Sequence, residues 1–435
     1  MDVATNVDSV AAFVDEVLEG TGWTRRRVKA RSSRLEPPDS YWALFSVDIN
    51  KDEEKRNLRL VAKGALNAEA WDRLSARLMR HGADRRCDPV DGVGYPRLFP
   101  ETRHAYWFYP FDPSMHSLPE ANDPIRMASV LLGVEEPAQV LAASRRIGIE
   151  RIRYLPEVGA ILRYTLDAGD TPNVIFGKVQ PGVRGRRTFH IVQDLWGAAE
   201  RHPGLLTLPR PLGFIDEMGL LMEEGVRGKP VGGNRDSAVF QGMSNAAAEA
   251  LAVIHESGVG CDEEIRIEDE LARLDRICEQ FKFVLPAGHF LLSDLVTHMR
   301  EHVRKTPEEE RLSTHGDMKY DQFMVHNDHF TLLDFDYFAT AETSYDLGKF
   351  CAYAVPSMPD DWKQSVAAEE ARLVFMRRYR ELRPQATLQR FGIYEALQFA
   401  LRAMSLMWAQ TPGWERMAEA FLVMGFERLK SRLPE

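Results

Sequence analysis

One string limits what this chain can fold into more than any other. It is Ser313-Thr314-His315-Gly316-Asp317-Met318-Lys319-Tyr320-Asp321-Gln322, followed by Leu333-Asp334-Phe335-Asp336. Between its two parts lie the apolar runs Phe323-Met324-Val325 and Phe330-Thr331-Leu332-Leu333, set around an Asn-Asp turn. Two such runs read as a hairpin. A hairpin returns its ends to each other, so Asp334 is expected to face the loop that carries Asp317 and Gln322. Two carboxylates and an amide gathered there would make an oxygen-rich pocket suited to a hard cation. The chain around this string is helical in pattern, and a β-loop embedded in helices is a place to look for chemistry.

The rest of the chain divides around that string. From residue 236 onward the apolar spacing predicts helices over 237–257, 264–284, 287–304, 362–382 and 391–409. Residues 147–235 instead alternate like strands. Ala160-Ile161-Leu162-Arg163-Tyr164-Thr165-Leu166 and Asn173-Val174-Ile175-Phe176-Gly177-Lys178-Val179 flank an acidic-glycine turn at 167–170. A helical stretch with Phe189, Val192, Trp196 and Ala199 follows, and Gly219-Leu220-Leu221-Met222 resumes as a strand after Pro209-Arg210-Pro211. Residues 40–125 repeat this order in weaker form. Tyr41–Ile49 and Leu58–Lys63 flank a charged turn, the second strand again ends in a lysine, and Tyr106-Trp107-Phe108-Tyr109 stands where Leu220-Leu221-Met222 stands in the other copy. The repeat reads either as a degenerate duplicate of one α/β unit or as two hairpins alike by chance. The expected division is an N-terminal α/β cap-like domain over 1–125, a β-rich lobe over 147–235 and a mostly helical lobe over 236–435.

Composition narrows the function classes. With 435 residues, the chain is too long for one hydrophobic core. Its 65 acidic and 55 basic residues leave a formal charge of -10, which argues against a nucleic-acid partner. No apolar run approaches the roughly 20 residues needed to span a bilayer, so no membrane role is expected. The N-terminus reads as an acidic amphipathic helix rather than a signal peptide, and a cytoplasmic protein is expected. Cys87, Cys261, Cys278 and Cys351 are scattered without a C-x-x-C pair, so they read as reduced thiols rather than a zinc site or a disulfide framework.

Phosphoryl transfer from ATP asks for a carboxylate that orients and deprotonates the acceptor hydroxyl, oxygen ligands for magnesium, and a cation on the phosphates. The string offers that chemistry, and it resembles the aminoglycoside phosphotransferase and choline kinase-like family. There a loop reading H-G-D-x-x-x-x-N precedes a D-F-[DE] metal motif. The resemblance, which covers residues 147–410, implies an α+β, protein-kinase-like bilobal fold, with the N-terminal α/β domain as an addition. It implies Asp317 as the catalytic base, Lys319 near the transferred phosphoryl, and Gln322 and Asp334 as ligands of Mg2+. It further implies Lys178 as the lysine on the α- and β-phosphates, and Met222-Glu223-Glu224 as the hinge strand that holds the adenine of ATP. Leu251-Ala252-Val253-Ile254-His255 resembles a helix end of the same family, and Tyr345-Asp346-Leu347-Gly348 resembles a helix start behind its site.

Two departures stand out. Gln322 occupies the place of the family's asparagine, and the helix after Lys178 has no obvious glutamate partner, Asp194 being nearest and Glu200 next. With no G-x-G-x-x-G present, Pro156-Glu157-Val158-Gly159 is expected to serve as the phosphate-covering turn. His315 is expected to be structural, since an aspartate already takes the base position, and Asp346 is expected to cap a helix or brace the loop. The leading expectation is a small-molecule kinase with a hydroxyl acceptor of the aminoglycoside, amino alcohol or sugar type. Asp360-Asp361 are candidates to receive an amine. The alternative is a catalytically inactive kinase-like module that binds nucleotide or a protein partner. A protein kinase is disfavoured by the lack of a glycine-rich loop and of an A-P-E segment. The N-terminal unit is left as a cap, an acceptor lid or the contact of a homodimer.

Overall fold

Ser40–Lys51 carries Tyr41-Trp42-Ala43-Leu44-Phe45 and Val47, aromatic and aliphatic residues that suit a strand covered on both faces, and all of them are buried. It becomes the second strand of an antiparallel sheet. The computed structural model describes residues 6–36, 39–81, 96–167, 173–356 and 362–430. Most of the turn expected at 167–170, Cys87 and Asp360-Asp361 lie outside them.

Helix α1 (Val7–Leu18) opens the chain, and the Asn6 side chain accepts from the Asp8 N–H at 2.8 Å as its N-cap. Its Val10, Phe13, Val14 and Val17 turn inward, which gives the expected amphipathic helix. Strands β1 (Thr24–Glu36), β2 (Ser40–Lys51) and β3 (Glu54–Ala65) follow. Helix α2 (Ala68–His81) then leads to β4 (Arg97–Phe99) and β5 (His104–Phe108). The sheet order is β1-β2-β3-β5-β4. Arg25, Arg26, Arg27, Lys29 and Arg31 line the edge strand β1, and charge on an edge discourages pairing with another chain.

Short helices α3 (Leu118–Ala121), α4 (Pro124–Leu132) and α5 (Pro137–Ser144) connect to a second sheet. Its parts are β6 (Ile147–Leu155), β7 (Gly159–Leu166), β8 (Asn173–Val179), helix α6 (Arg184–Arg201), β9 (Pro211–Ile215) and β10 (Leu220–Glu224). The order is β6-β7-β8-β10-β9. Both sheets therefore place their first three strands side by side, insert a helix after the third, and lay the fifth strand beside the third. Trp42, Val61 and Trp107 of the first sheet share one core with Leu162, Tyr164 and Leu220 of the second. Each fully buried aliphatic side chain there contributes roughly 1.5–3 kcal/mol.

The remaining chain is mostly helical, as expected. β11 (Lys229–Pro230) precedes α7 (Ala238–Glu256), α8 (Ile267–Val284) and α9 (Pro286–Lys305). Strands β12 (Arg311–Thr314), β13 (Phe323–His326), β14 (His329–Leu332) and β15 (Ala339–Glu342) interrupt the helices. Helices α10 (Ser344–Ala354), α11 (Trp362–Leu382), α12 (Phe391–Ala409) and α13 (Trp414–Lys430) then close the chain. The helices read at 237–257, 264–284, 287–304, 362–382 and 391–409 are α7, α8, α9, α11 and α12. Helix α12 is buried almost all round, from Phe391 to Met407, which fits a sequence apolar on every face. None of the helices among the described residues is long and apolar enough to cross a membrane.

The chain falls into two compact units, Met1–Arg186 with Leu212–Glu223, and Arg187–Pro211 with Glu224–Glu435. The first holds both five-stranded sheets and helices α1–α5, and the second holds helices α7–α13 and strands β12–β15. This is the α+β class read from the sequence, strand-rich first and helix-rich after.

Candidate active site

The second unit builds its polar centre from the loop after β12. Strands β13 and β14 pair antiparallel, with Phe323 opposite Leu332 and His326 opposite His329, so the hairpin forms as read. The Leu333 N–H then donates to the Gln322 carbonyl at 2.9 Å. That bond returns the backbone to the loop one residue before Asp334, as a hairpin requires. Asp334 sits in the left-handed region at φ 67, a conformation an aspartate tolerates better than most side chains but still a strained one.

The loop itself is held by side chains from three directions. Gly316 adopts φ 77, and a Cβ there would collide with the Tyr337 carbonyl, so only glycine fits. The carboxylate of Asp346, near the start of α10, accepts from the His315 N–H at 2.7 Å and from the Gly316 N–H at 3.0 Å. Asp346 thus braces the loop, one of the two roles read for it. The Asp317 N–H donates to His315 Nδ1 at 3.2 Å, which leaves the ring proton on Nε2 to donate to the Leu333 carbonyl at 3.0 Å. His315 is structural, as expected. It ties the loop to the strand end that presents Asp334. Behind Asp346, His255 Nδ1 lies 2.7 Å from the Tyr379 hydroxyl and its Nε2 lies 3.7 Å from Asp346 Oδ2. His255 thus lies behind the brace, near the end of α7.

Asp317 is nearly buried, and both of its oxygens are engaged. Lys349 Nζ lies 2.8 Å from Oδ1, Lys319 Nζ lies 3.0 Å from Oδ2, and Gln322 Nε2 donates to Oδ2 at 2.7 Å. Burial alone would raise the Asp317 pKa. The charges of Lys349 and Lys319 and their hydrogen bonds outweigh it and hold the carboxyl at about 2. Lys319 is in turn pulled down by burial but raised on balance by the Asp317 and Asp321 carboxylates. Lys349 is also raised against its burial, by Tyr345, Asp317 and Tyr353.

Lys349 is the residue that sequence reading missed. It lies three residues after Asp346 on α10, on the same helix face, and its ammonium also donates to the Gly316 carbonyl at 2.9 Å. The available signal was that spacing. If Asp346 faces the loop, the residue one turn on faces it too.

Among the described residues no group of three or more His, Cys, Asp or Glu side chains is arranged to hold a metal ion. The oxygens that the resemblance assigns to Mg2+ are the Asp334 carboxylate and Gln322 Oε1, the Gln322 amide nitrogen being spent on Asp317. One carboxylate and one amide are hard oxygen donors that suit magnesium, which keeps several waters and takes substrate phosphates as ligands. Asp336, the other carboxylate of the motif, accepts from the Thr188 hydroxyl at 3.2 Å.

The other residues read as nucleotide ligands lie on the second five-stranded sheet. Lys178, on β8 opposite Ile161 of β7, is half-buried. Met222, Glu223 and Glu224 form the end of β10, the strand beside β8, and the Glu224 N–H donates to the Arg210 carbonyl at 2.9 Å. Asp194 and Glu200 are both exposed on α6, and Glu200 accepts from the Trp196 indole at 3.1 Å.

Residues 197–385 match the model of the phosphotransferase enzyme family, a span that contains the whole Asp317-to-Asp346 arrangement. Solved structures that resemble the chain include three small-molecule kinases. A choline/ethanolamine kinase family protein from Mesorhizobium loti is 16% identical, over 71% of this chain and 95% of that one, with a TM-score of 0.48. A choline kinase from Streptococcus pneumoniae is 15% identical, over 66% and 96%, with a TM-score of 0.45. A spectinomycin phosphotransferase solved with ADP and spectinomycin is 12% identical, over 65% and 89%, with a TM-score of 0.43. No curated protein matches the chain.

Proposed function

We propose that this chain, whose residues 197–385 match the phosphotransferase enzyme family, transfers the γ-phosphoryl group of ATP to a hydroxyl of a small molecule with the help of magnesium. The observation that carries the reading is the environment of Asp317. A nearly buried carboxylate is kept ionised by two lysines in a loop braced by Asp346, beside the strand end that presents Asp334.

The chemistry follows from that environment. A carboxylate held at about 2 is a weak base, and it would not strip a free alcohol. Phosphoryl transfer passes through a loose transition state in which the acceptor proton moves late, so orientation matters more than basicity. Asp317 accepts a hydrogen bond from the acceptor hydroxyl, aims its oxygen and takes the proton as the new bond forms. Lys319 pivots from Asp317 toward the transferred phosphoryl, while Lys349, rooted on the Gly316 carbonyl, keeps Asp317 ionised. Asp334 and Gln322 Oε1 would hold magnesium, which when bound neutralises phosphate charge. Lys178 contacts the α- and β-phosphates, and the backbone of 222–224 holds the adenine. The acceptor classes in view are aminoglycosides, amino alcohols and sugars, and the protein works in the cytoplasm.

The test is an acceptor screen read by ADP release, run on the wild type and on Asp317→Asn. The variant is expected to lose at least about a thousandfold in turnover while binding nucleotide as before. Full turnover by Asp317→Asn would end the base assignment.

A further inference from the structure

The two sheets of the first unit share the strand order first-second-third-fifth-fourth, with a helix after the third strand in each. Each third strand also carries a lysine near its end, Lys63 on β3 and Lys178 on β8. By topology Lys63 is therefore the counterpart of Lys178, the lysine assigned above to the phosphates. The surroundings of Lys63 give it a different task.

Lys63 is 6% exposed and is engaged by two carboxylates. One is Glu36 of β1, at 2.9 Å. The other is Glu157, which belongs to the three-residue turn between β6 and β7 of the second sheet. Arg77 of α2 pairs with the same Glu157 carboxylate. The Glu157 N–H donates at 2.8 Å to the buried Asp112, which also accepts from the Tyr154 hydroxyl at 2.8 Å. The first sheet and the chain just after it thus grip this turn by its backbone and by its side chain.

This changes what the turn offers. Pro156 has no N–H, the Glu157 N–H is committed to Asp112, and the Val158 N–H donates to the Leu155 carbonyl at 3.1 Å. A glycine-rich loop cradles phosphates with free backbone N–H groups, and this turn has none to give from 156 to 158. Glu157 also sits in the left-handed region at φ 61, which glycine adopts more readily than any L-residue. A carboxylate at a turn near phosphates is repulsive unless it is neutralised and turned away. Lys63 and Arg77 do both.

We infer that the N-terminal sheet is a second copy of the nucleotide-lobe topology whose strand lysine, Lys63, has become a positioning residue. It clamps the 156–159 turn through Glu157 and so fixes the wall against which the phosphates lie. The inference rests on the proposed nucleotide reading of the second sheet. With Lys63 held by Glu36 and Glu157, the first sheet offers no second phosphate site.

The experiment compares Lys63→Met, Lys63→Arg and Glu157→Gln with the wild type in the full chain, with Lys178→Met as reference. Hydrogen exchange of residues 147–166 is measured without ligand, and KM for ATP and kcat are measured with the best acceptor. Lys63→Met and Glu157→Gln are expected to speed exchange at the turn. They are also expected to raise KM for ATP about tenfold, the size of one charge-assisted hydrogen bond, with kcat within about twofold. Lys63→Arg is expected to restore both. Unchanged exchange in Lys63→Met and Glu157→Gln would overturn the clamp, and faster exchange with unchanged KM would overturn the positioning role. If Lys178→Met leaves KM unchanged, the nucleotide reading of the second sheet fails while the exchange result still decides the clamp.

Discussion

Removing the Lys349 ammonium should uncouple the 315–317 loop from α10. Lys349 lies 2.8 Å from Asp317 Oδ1 and 2.9 Å from the Gly316 carbonyl, and it is largely buried. The depression of Asp317 from 3.8 to about 2 corresponds to about 2.5 kcal/mol of preference for the ionised form. That figure is what remains after burial has opposed the two lysines, so neither lysine is a minor contributor. Breaking a fully buried pair costs about 3–5 kcal/mol, but Lys319 and the Gln322 amide stay on Asp317. Lys349→Met is therefore expected to cost about 2–3 kcal/mol of stability, and to cost much less when Asp317→Asn is already present. Urea unfolding of the wild type, both single variants and the double variant at pH 7.5 gives the coupling, expected near 2 kcal/mol. The sign of the pH dependence follows from the depressed carboxyl. Its contribution is fully present above the unfolded carboxyl range and is lost as pH falls through about 2. A coupling below about 0.5 kcal/mol would show that Lys349 does not hold Asp317 ionised.

Other consequences are simpler to read. Gly316→Ala places a Cβ against the Tyr337 carbonyl at φ 77, so it should destabilise the second unit by more than about 3 kcal/mol. Proteolysis near residue 316 reports this, and a wild-type digestion pattern would count against the geometry of the loop. Because Lys349 and Lys319 keep Asp317 ionised down to about pH 2, turnover should show no loss from Asp317 protonation between pH 5 and 7. A one-proton loss in that range which moves upward in Lys349→Met would contradict the assignment.

Much of the candidate site was legible because its chemistry is local. Asp317, Lys319 and Gln322 fall within six residues, and the Asn-Asp turn returns Asp334 to them through a hairpin whose apolar runs are plain. The helices after residue 236 were legible for a similar reason, since their apolar spacing reports one buried face. Lys349 was legible only once Asp346 was known to face the loop. Its role depends on α10 packing its Asp346–Lys349 face on the loop, a tertiary fact that no spacing within the loop encodes. Lys63 shows the same limit from the other side. The repeat of strands and terminal lysines was visible, but Lys63 and Glu157 are 94 residues apart, and only the fold brings them together. The turn at 156–159 was read as covering the phosphates, and the fold adds that the N–H groups of 157 and 158 are already engaged within the protein.

The proposed function requires a magnesium-assisted nucleotide site to which Asp334 contributes a ligand. Calorimetric titration with a non-hydrolysable ATP analogue, with and without magnesium, on the wild type and on Asp334→Asn tests it most directly. Micromolar affinity, about -8 kcal/mol, is expected for the wild type with magnesium, and at least about tenfold weaker binding without it. Asp334→Asn should bind weakly in both conditions. Equal affinity with and without magnesium, or no binding by the wild type at millimolar analogue, would contradict it.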